Sequence, residues 1–113
     1  MRSEDKILVV EDNPAICREM EREFNCDCAT DGWDAIEKLE TCDYAAIIID
    51  ADVPRHSGYG VLTYLREEVG GELANVIFMT SNDHNEIRRR VGNEMIVVDK
   101  ADAVNELTRV LQG

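Results

Sequence analysis

The chain has 113 residues, 44% of them hydrophobic, which predicts one domain of the usual size of about 100–200 residues with a core of its own. Lys and Arg number 12 and Asp and Glu number 24, so the net charge is −12 at pH 7. An acidic chain of this kind is repelled by nucleic acid and by anionic membrane surfaces. Length and charge argue against a multidomain enzyme, a repeat array and a direct nucleic-acid binder, and they predict a single domain over residues 1–113.

The apolar runs of the sequence are too short to cross a membrane. The longest run, residues 44–49, is far below the roughly 20 residues that a spanning helix needs. Residues 1–6 lead directly into a strand-like run and lack the long apolar stretch of a signal peptide. We therefore expect a cytoplasmic protein with no membrane partner.

Four cysteines are present, at Cys17, Cys26, Cys28 and Cys42. In a reducing compartment they are expected to be buried thiols rather than disulfides. Cys26 and Cys28 would share one face of a strand, which suits core packing. The sequence has no CxxC pair and no histidine at ligand spacing, so a zinc site is not expected.

Strand-like runs alternate with helix-like segments five times along the chain. Short runs between turn and helix signals predict strands at residues 6–10, 26–30, 44–49, 76–79 and 95–98, and the first of these is rich in β-branched residues. Helix signals predict helices from Asn13–Pro14 to Phe24, after Asp31–Gly32, at residues 58–68 and 83–91, and around Val104 to Leu111. This alternation implies right-handed crossovers and a parallel sheet with helices on both faces.

Five such units predict an α/β protein with the doubly wound, flavodoxin-like (βα)5 fold and the strand order 2-1-3-4-5. Sheets of this kind bind their ligands at the carboxyl ends of the strands. Four of the predicted strands have polar residues at their carboxyl ends: Glu11, Asp12, Asp50, Thr80, Ser81, Asp99 and Lys100. We expect these residues to meet at one rim of the sheet, although they are far apart in sequence.

The residue types at this rim suit phosphoryl chemistry. Clustered carboxylates repel one another, and a hard divalent cation such as Mg²⁺ relieves the repulsion through oxygen ligands. A metal ion, the Lys100 ammonium and the Thr80 hydroxyl around Asp50 would neutralise the equatorial oxygens of a phosphoryl group. Asp50 is central, so it is the candidate nucleophile.

At these residues the chain resembles the receiver domains of two-component response regulators. The resemblance covers about residues 5 to 112. It is carried by four motifs, which are Lys6-Ile-Leu-Val-Val-Glu-Asp-Asn13, Ala-Ile-Ile-Ile-Asp50 with Pro54 and Gly58 after it, Val-Ile-Phe-Met-Thr80-Ser81, and Val-Val-Asp-Lys100. The spacing of Asp50, Pro54 and Gly58 is the most specific of these features.

The resemblance implies a role for each matching residue. Asp50 would be the phosphoacceptor, and Thr80 and Lys100 would hold the phosphoryl oxygens. Asp12 would bind Mg²⁺ directly and Glu11 through water, and the metal site would be completed by the backbone carbonyl of Asp52. The implied donor is a phosphohistidine on a histidine kinase or a histidine phosphotransfer protein. The signal would pass to a downstream protein target or output domain, and the domain would catalyse only its own phosphorylation and dephosphorylation.

Four positions depart from the family pattern. Ala101 and Asn75 stand where proline is common, and Asp52 adds an acidic side chain near the acceptor. Val97 replaces the usual aromatic residue, which swings inward when the hydroxyl residue moves toward the phosphoryl group. The departures leave the phosphorylation chemistry intact but place the usual conformational readout in question.

Two other readings remain open. A pseudo-receiver would keep the fold and act as a phosphorylation-independent interaction module, although the complete set of site residues argues against it. A flavodoxin-like enzyme or nucleotide binder would need a glycine-rich phosphate loop after the first strand, where the chain has Glu11 to Pro14.

The three arginines at 88–90 are expected to form a solvated face or a docking patch for an acidic protein. His56 and His84 are expected to be surface residues in loops. The sequence gives neither the kinase nor the output, nor whether the chain is a fragment.

Overall fold

The computed structural model describes residues 6–42, 44–51, 76–81, 84–91 and 96–112. Within these ranges, five strands form one parallel sheet in the order β2-β1-β3-β4-β5. The strands are β1 (Ile7–Val10), β2 (Cys26–Ala29), β3 (Ala46–Asp50), β4 (Val76–Thr80) and β5 (Ile96–Asp99). The predicted fold class and strand order are confirmed. Asp50 and Thr80 are the last residues of β3 and β4, at the strand ends where they are predicted.

Four helices are described beside the sheet. They are α1 (Pro14–Glu23), α2 (Gly32–Thr41), α3 (His84–Val91) and α4 (Ala103–Gln112), and a 3₁₀ turn at Lys100–Asp102 precedes α4. In the described part of the chain, no helix combines the length and the apolar character that a membrane crossing requires. The predictions for the helix at 58–68 and for Asp52, Pro54, His56, Gly58 and Asn75 lie outside the described residues.

Side-chain caps explain where the first two helices begin. Asn13 accepts a hydrogen bond from the backbone N–H of Ala15 at 2.9 Å, and Pro14 occupies the first helical position. Asp31 caps α2 in the same way, with the N–H of Asp34 donating to its carboxylate at 2.8 Å. These caps set the points where the chain leaves β1 and β2 and turns into a helix.

The sheet is buried on both faces, as the continuous apolar runs predict. One face packs with α2 and α3 through Leu8, Val10, Ala29, Ala35, Ile47, Ile49, Val76, Phe78, Ile87 and Val97. The other face packs with α1 and α4 through Ile7, Val9, Met20, Ala46, Ile48, Ile77, Met79, Val98, Ala103 and Leu107. Two packed layers hold the central strands in register, so the polar ends of those strands have defined positions.

Two polar contacts of Asp27 hold the edge strand β2 in place. Asp27 accepts a hydrogen bond from the Tyr44 hydroxyl at 2.7 Å and pairs with the Lys6 ammonium at 3.0 Å. Burial would raise the pKa of Asp27, but the bonds from Tyr44 and Lys6 outweigh burial and lower it. These two contacts connect β2 to the chain segments that lead into β1 and β3.

The cysteines differ from expectation. Cys17 of α1 and Cys28 of β2 form a disulfide, with their Cα atoms 6.1 Å apart, so the prediction of thiols is wrong for this pair. Cys17 lies on the face of α1 that packs on the sheet, and Cys28 lies on the same side of β2. Cys26 and Cys42 are free thiols. Cys26 and Cys28 pack against the same core cluster, as their spacing predicts.

Candidate functional site

Strand register brings the acidic residues together. Val10 of β1 is aligned with Ile49 of β3, so Glu11 and Asp50 come next to each other at the carboxyl ends of adjacent strands. Across the sheet, Asp50 is aligned with Met79, and Thr80 is aligned with Asp99. The rim predicted from the sequence therefore exists, with Asp50 on the central strand β3.

Three carboxylates form a compact cluster at this rim. One oxygen from each of Glu11, Asp12 and Asp50 lies within 4.8 Å of the others. Glu11 and Asp50 are buried, with 0% and 1% of their surface exposed, whereas Asp12 is exposed. Buried carboxylates at this distance repel one another strongly unless a positive charge compensates.

Lys100 supplies positive charge from the end of β5. Its Nζ lies 2.6 Å from Oδ2 of Asp50 and 3.1 Å from Oε1 of Glu11. Burial would lower the pKa of Lys100, but the hydrogen bond with Asp50 and the ion pair with Glu11 outweigh burial and raise it. The lysine therefore stays charged and links β5 to the two buried carboxylates.

Glu11 is the side chain most altered by its surroundings. Burial, followed by the neighbouring Asp50, raises the pKa of Glu11 to about 7, against the opposing effect of Lys100. Its Oε2 accepts a hydrogen bond from the backbone N–H of Asp12 at 3.0 Å. Its Oε1 is buried and, among the described residues, has no partner with hydrogen-bonding geometry, although Lys100 is near. A buried oxygen that lacks a hydrogen bond, within a cluster of carboxylate oxygens, suits a divalent cation or a water molecule bound to that cation.

The predicted hydroxyl also reaches the rim. Thr80 is fully buried at the end of β4, one strand away from Asp50. Ala101 lies exposed in the 3₁₀ turn after Lys100. Of the predicted site residues, the structure brings together Glu11, Asp12, Asp50, Thr80 and Lys100, and Asp52 lies outside the described residues.

One contact at the rim was not foreseen. His84 begins α3 and is half-buried, with Nε2 3.3 Å from Oδ1 of Asp99 at the end of β5. The prediction that His84 lies in a loop is therefore wrong, whereas its side chain does remain partly exposed. Sequence spacing carried no signal for this pair, because the start of α3 and the end of β5 are brought together only by the packing of the helix on the sheet. Arg88 is half-buried and Arg89 exposed on the same helix.

The family model of the response regulator receiver domain matches residues 7–112. The chain belongs to this family. A curated relative of this receiver domain is the transcriptional activator protein IrlR of Burkholderia pseudomallei strain 1026b, which is 32% identical over 113 residues. The match covers 93% of this chain and 48% of IrlR, so the chain spans about half the length of that relative.

Solved structures resemble the receiver domain over nearly its whole length. The receiver domain of the sensor histidine kinase PA1611 from Pseudomonas aeruginosa PAO1 has 27% identity and a TM-score of 0.79, covering 97% of this chain and 96% of that one. That crystal structure has a magnesium ion coordinated in its active-site cleft. The chemotaxis response regulator CheY4 of Vibrio cholerae has 15% identity and a TM-score of 0.77, covering 96% and 99% of the two chains, and supports the fold.

Proposed function

We propose that this receiver domain accepts a phosphoryl group on Asp50 from a phosphohistidine of a histidine kinase or a histidine phosphotransfer protein. The observation that carries the proposal is the contact of Lys100 with Asp50 at 2.6 Å inside a buried cluster of carboxylates. A carboxylate held beside a fixed ammonium and a buried hydroxyl at the end of a parallel strand is arranged for phosphoryl transfer.

The proposed transfer forms one bond to phosphorus and breaks one. An Asp50 carboxylate oxygen attacks phosphorus, the N–P bond of phosphohistidine breaks, and the donor imidazole keeps the electron pair. Lys100 orients the carboxylate through Oδ2 and offsets negative charge on the phosphoryl oxygens. Thr80 would donate its hydroxyl to the group after transfer. The domain in this proposal catalyses only its own phosphorylation and dephosphorylation.

Magnesium is part of the proposal. Glu11, Asp12 and Asp50 would hold the ion, with the carbonyl of Asp52 as the further ligand that the family implies. When bound, Mg²⁺ supplies positive charge that offsets the clustered carboxylates and the phosphoryl oxygens. The buried Glu11 Oε1, which Lys100 approaches at 3.1 Å without hydrogen-bonding geometry, and the all-oxygen donor set support this assignment.

We propose that the phosphorylated domain signals through a protein partner or an output domain. The named function of IrlR, a transcriptional activator, belongs to a protein about twice as long as the matched segment. The net charge of −12 favours protein contacts over direct contacts of this chain with nucleic acid.

The decisive experiment is an intact-mass measurement after incubation with acetyl phosphate and Mg²⁺. The expected result is a gain of one phosphoryl group by the wild type and no gain by Asp50→Asn. Asp99→Asn is the matched control, because Asp99 is also a carboxylate at a strand end but is 64% exposed, and this variant should gain the group.

Two results would contradict the proposal. No gain of mass by the wild type, with Mg²⁺ present, would favour the pseudo-receiver. A gain that persists in Asp50→Asn would move the acceptor to another residue, and peptide mapping of the labelled chain would identify it.

A further inference from the structure

The Cys17–Cys28 disulfide joins the first helix to the edge of the sheet. Cys17 is in the first half of α1 and Cys28 is in β2, the outermost strand on that side. Strand β1 lies between β2 and the centre of the sheet, and its end carries Glu11 and Asp12. The disulfide therefore lies beside the strand that leads into the acidic cluster.

One half of the bridge, Cys17, and the residue that follows the other half, Ala29, both contact the backbone of Glu11. The sulfur of Cys17 lies 3.4 Å from the carbonyl oxygen of Glu11. The N–H of Glu11 donates to the carbonyl of Ala29, the neighbour of Cys28, at 2.8 Å. Glu11 is thus in contact with both elements that the S–S bond joins, so breaking that bond removes a covalent restraint on its surroundings.

We propose that Cys17 and Cys28 are a reversible thiol–disulfide site that controls the order of the strand end carrying Glu11 and Asp12. Cys28 is half-buried on the edge strand, so an external thiol can reach its sulfur and thiol–disulfide exchange can open and close the bridge. The consequence for metal binding rests on the function proposed above.

The exchange chemistry is that of a dithiol reductant. A thiolate of the reductant attacks Sγ of Cys28, which is half-buried on the edge strand, whereas Cys17 is only 9% exposed. The Cys17–Cys28 bond breaks, and Cys17 leaves with the electron pair and takes a proton. The second thiol of the reductant then displaces Cys28 and forms a cyclic disulfide. A cyclic disulfide acting as oxidant reverses both steps.

Cys26 is placed near this pair but is a poor competitor for it. Burial, with added repulsion from Glu21 and Asp27, raises the pKa of the Cys26 thiol to about 11. A protonated thiol is a weak nucleophile, so Cys26 does not attack the neighbouring disulfide at neutral pH. The other free cysteine, Cys42, lies exposed after α2.

The disulfide should order the metal-binding segment in advance. An ion that binds Glu11 and Asp12 must fix the backbone that carries them, and the bridge has already restricted that backbone. The oxidised form is therefore expected to bind Mg²⁺ about fivefold or more tightly than the reduced form.

The test is amide hydrogen exchange of metal-free protein reduced with dithiothreitol or oxidised with oxidised glutathione, with thiols counted by mass after alkylation. We expect the Glu11 amide to exchange about fivefold or more faster after reduction. The Ala51 amide, which donates to Met79 at 2.9 Å at the end of β3, is the internal control and should not change. Cys26→Ser/Cys42→Ser should behave as wild type, and Cys17→Ala/Cys28→Ala should match the reduced form.

Equal exchange of Glu11 in both states would overturn the proposal, as would equal acceleration of Glu11 and Ala51. Failure of the pair to re-form in oxidised glutathione would overturn its reversibility. Mg²⁺ titration of both forms separates the two proposals. A lack of Mg²⁺ binding in both states contradicts the metal site, whereas the exchange comparison, made without metal, still decides the redox site.

Discussion

Glu11 shows how one residue can make metal binding depend on pH. Its pKa is raised to about 7 by burial and by Asp50, so a proton must leave before the carboxylate can serve a cation. We predict that Mg²⁺ affinity falls as the pH is lowered from about 8 to about 6, approaching tenfold per unit at the acidic end. Isothermal titration calorimetry across this range measures the effect.

Glu11→Gln provides the control for this prediction, since its side chain has no proton to lose. The variant should bind Mg²⁺ more weakly and with a flatter pH dependence. An unchanged slope in Glu11→Gln would assign the titration to another group.

Thr80 allows the chemistry to be separated from the response. Its hydroxyl is buried at the end of β4 and is expected to contact the phosphoryl group only after transfer. We predict that Thr80→Ala still gains the group from acetyl phosphate but shows much smaller amide shifts than the wild type. Intact mass and NMR on the same sample check both parts. Complete loss of phosphorylation would instead give the hydroxyl a role in the transfer step.

A substitution of Tyr44 tests the polar contacts of Asp27, which lie at the end of the sheet opposite the acidic cluster. Removing its bond to Asp27 by Tyr44→Phe should lower the free energy of unfolding by about 1–2 kcal/mol at neutral pH. Because the folded-state pKa of Asp27 is lowered, this stabilisation is present above the unfolded-state value and is lost as pH falls through the folded value.

Urea denaturation at neutral pH and below about pH 3 measures this difference, since the unfolded-state pKa of Asp is about 3.9. The gap between wild type and Tyr44→Phe should shrink at the lower pH. A gap of constant size would mean that the substitution acts through packing rather than through the charged bond.

At the scale of elements, α3 and β5 differ in their capacity to move. Val97 of β5 is buried with Ile87 of α3, and its β-branched side chain is too small and too stiff to exchange an exposed position for a buried one. Among the described side chains of α3, only Ile87 is buried, so few apolar contacts hold this helix. Phosphorylation can shift only those elements whose states it distinguishes.

We therefore predict that beryllofluoride with Mg²⁺ shifts the amide signals of Thr80, Ser81 and α3 strongly and those of Ile96 to Val98 weakly. The reason is that β5 has no large side chain to repack. The ¹H–¹⁵N spectrum measures the shifts, and Asp50→Asn should show none. Large shifts centred on Val97 and α4 would show that the family readout operates without the aromatic residue.

At the scale of the whole molecule, the net charge of −12 opposes compaction. Screening of this repulsion should raise the melting temperature by several degrees between about 0.02 M and about 0.5 M NaCl. Calorimetry in a chelator excludes binding of divalent ions, and KCl should give the same increase. A melting temperature that falls with salt would show that attractive ion pairs dominate.

The sequence by itself determined the fold and most of the candidate site. Short apolar runs alternate along the chain with segments of helical apolar spacing, and this alternation predicts a parallel sheet between helices. The carboxyl ends of the strands in such a sheet meet at one edge. For that reason Glu11, Asp12, Asp50, Thr80 and Lys100 could be assigned to one rim without any knowledge of their distances. The cap at Asn13 followed from local chemistry alone.

Only the tertiary structure decided which partners these residues have. The pairing of Cys17 with Cys28 depends on how α1 is rotated against β2, and the contact of His84 with Asp99 depends on where α3 lies against β5. The raised pKa of Glu11 depends on strand register, which buries it beside Asp50 and Lys100. Periodicity gives the face on which a residue lies, but distances of a few ångströms arise from packing between elements that are distant in the chain.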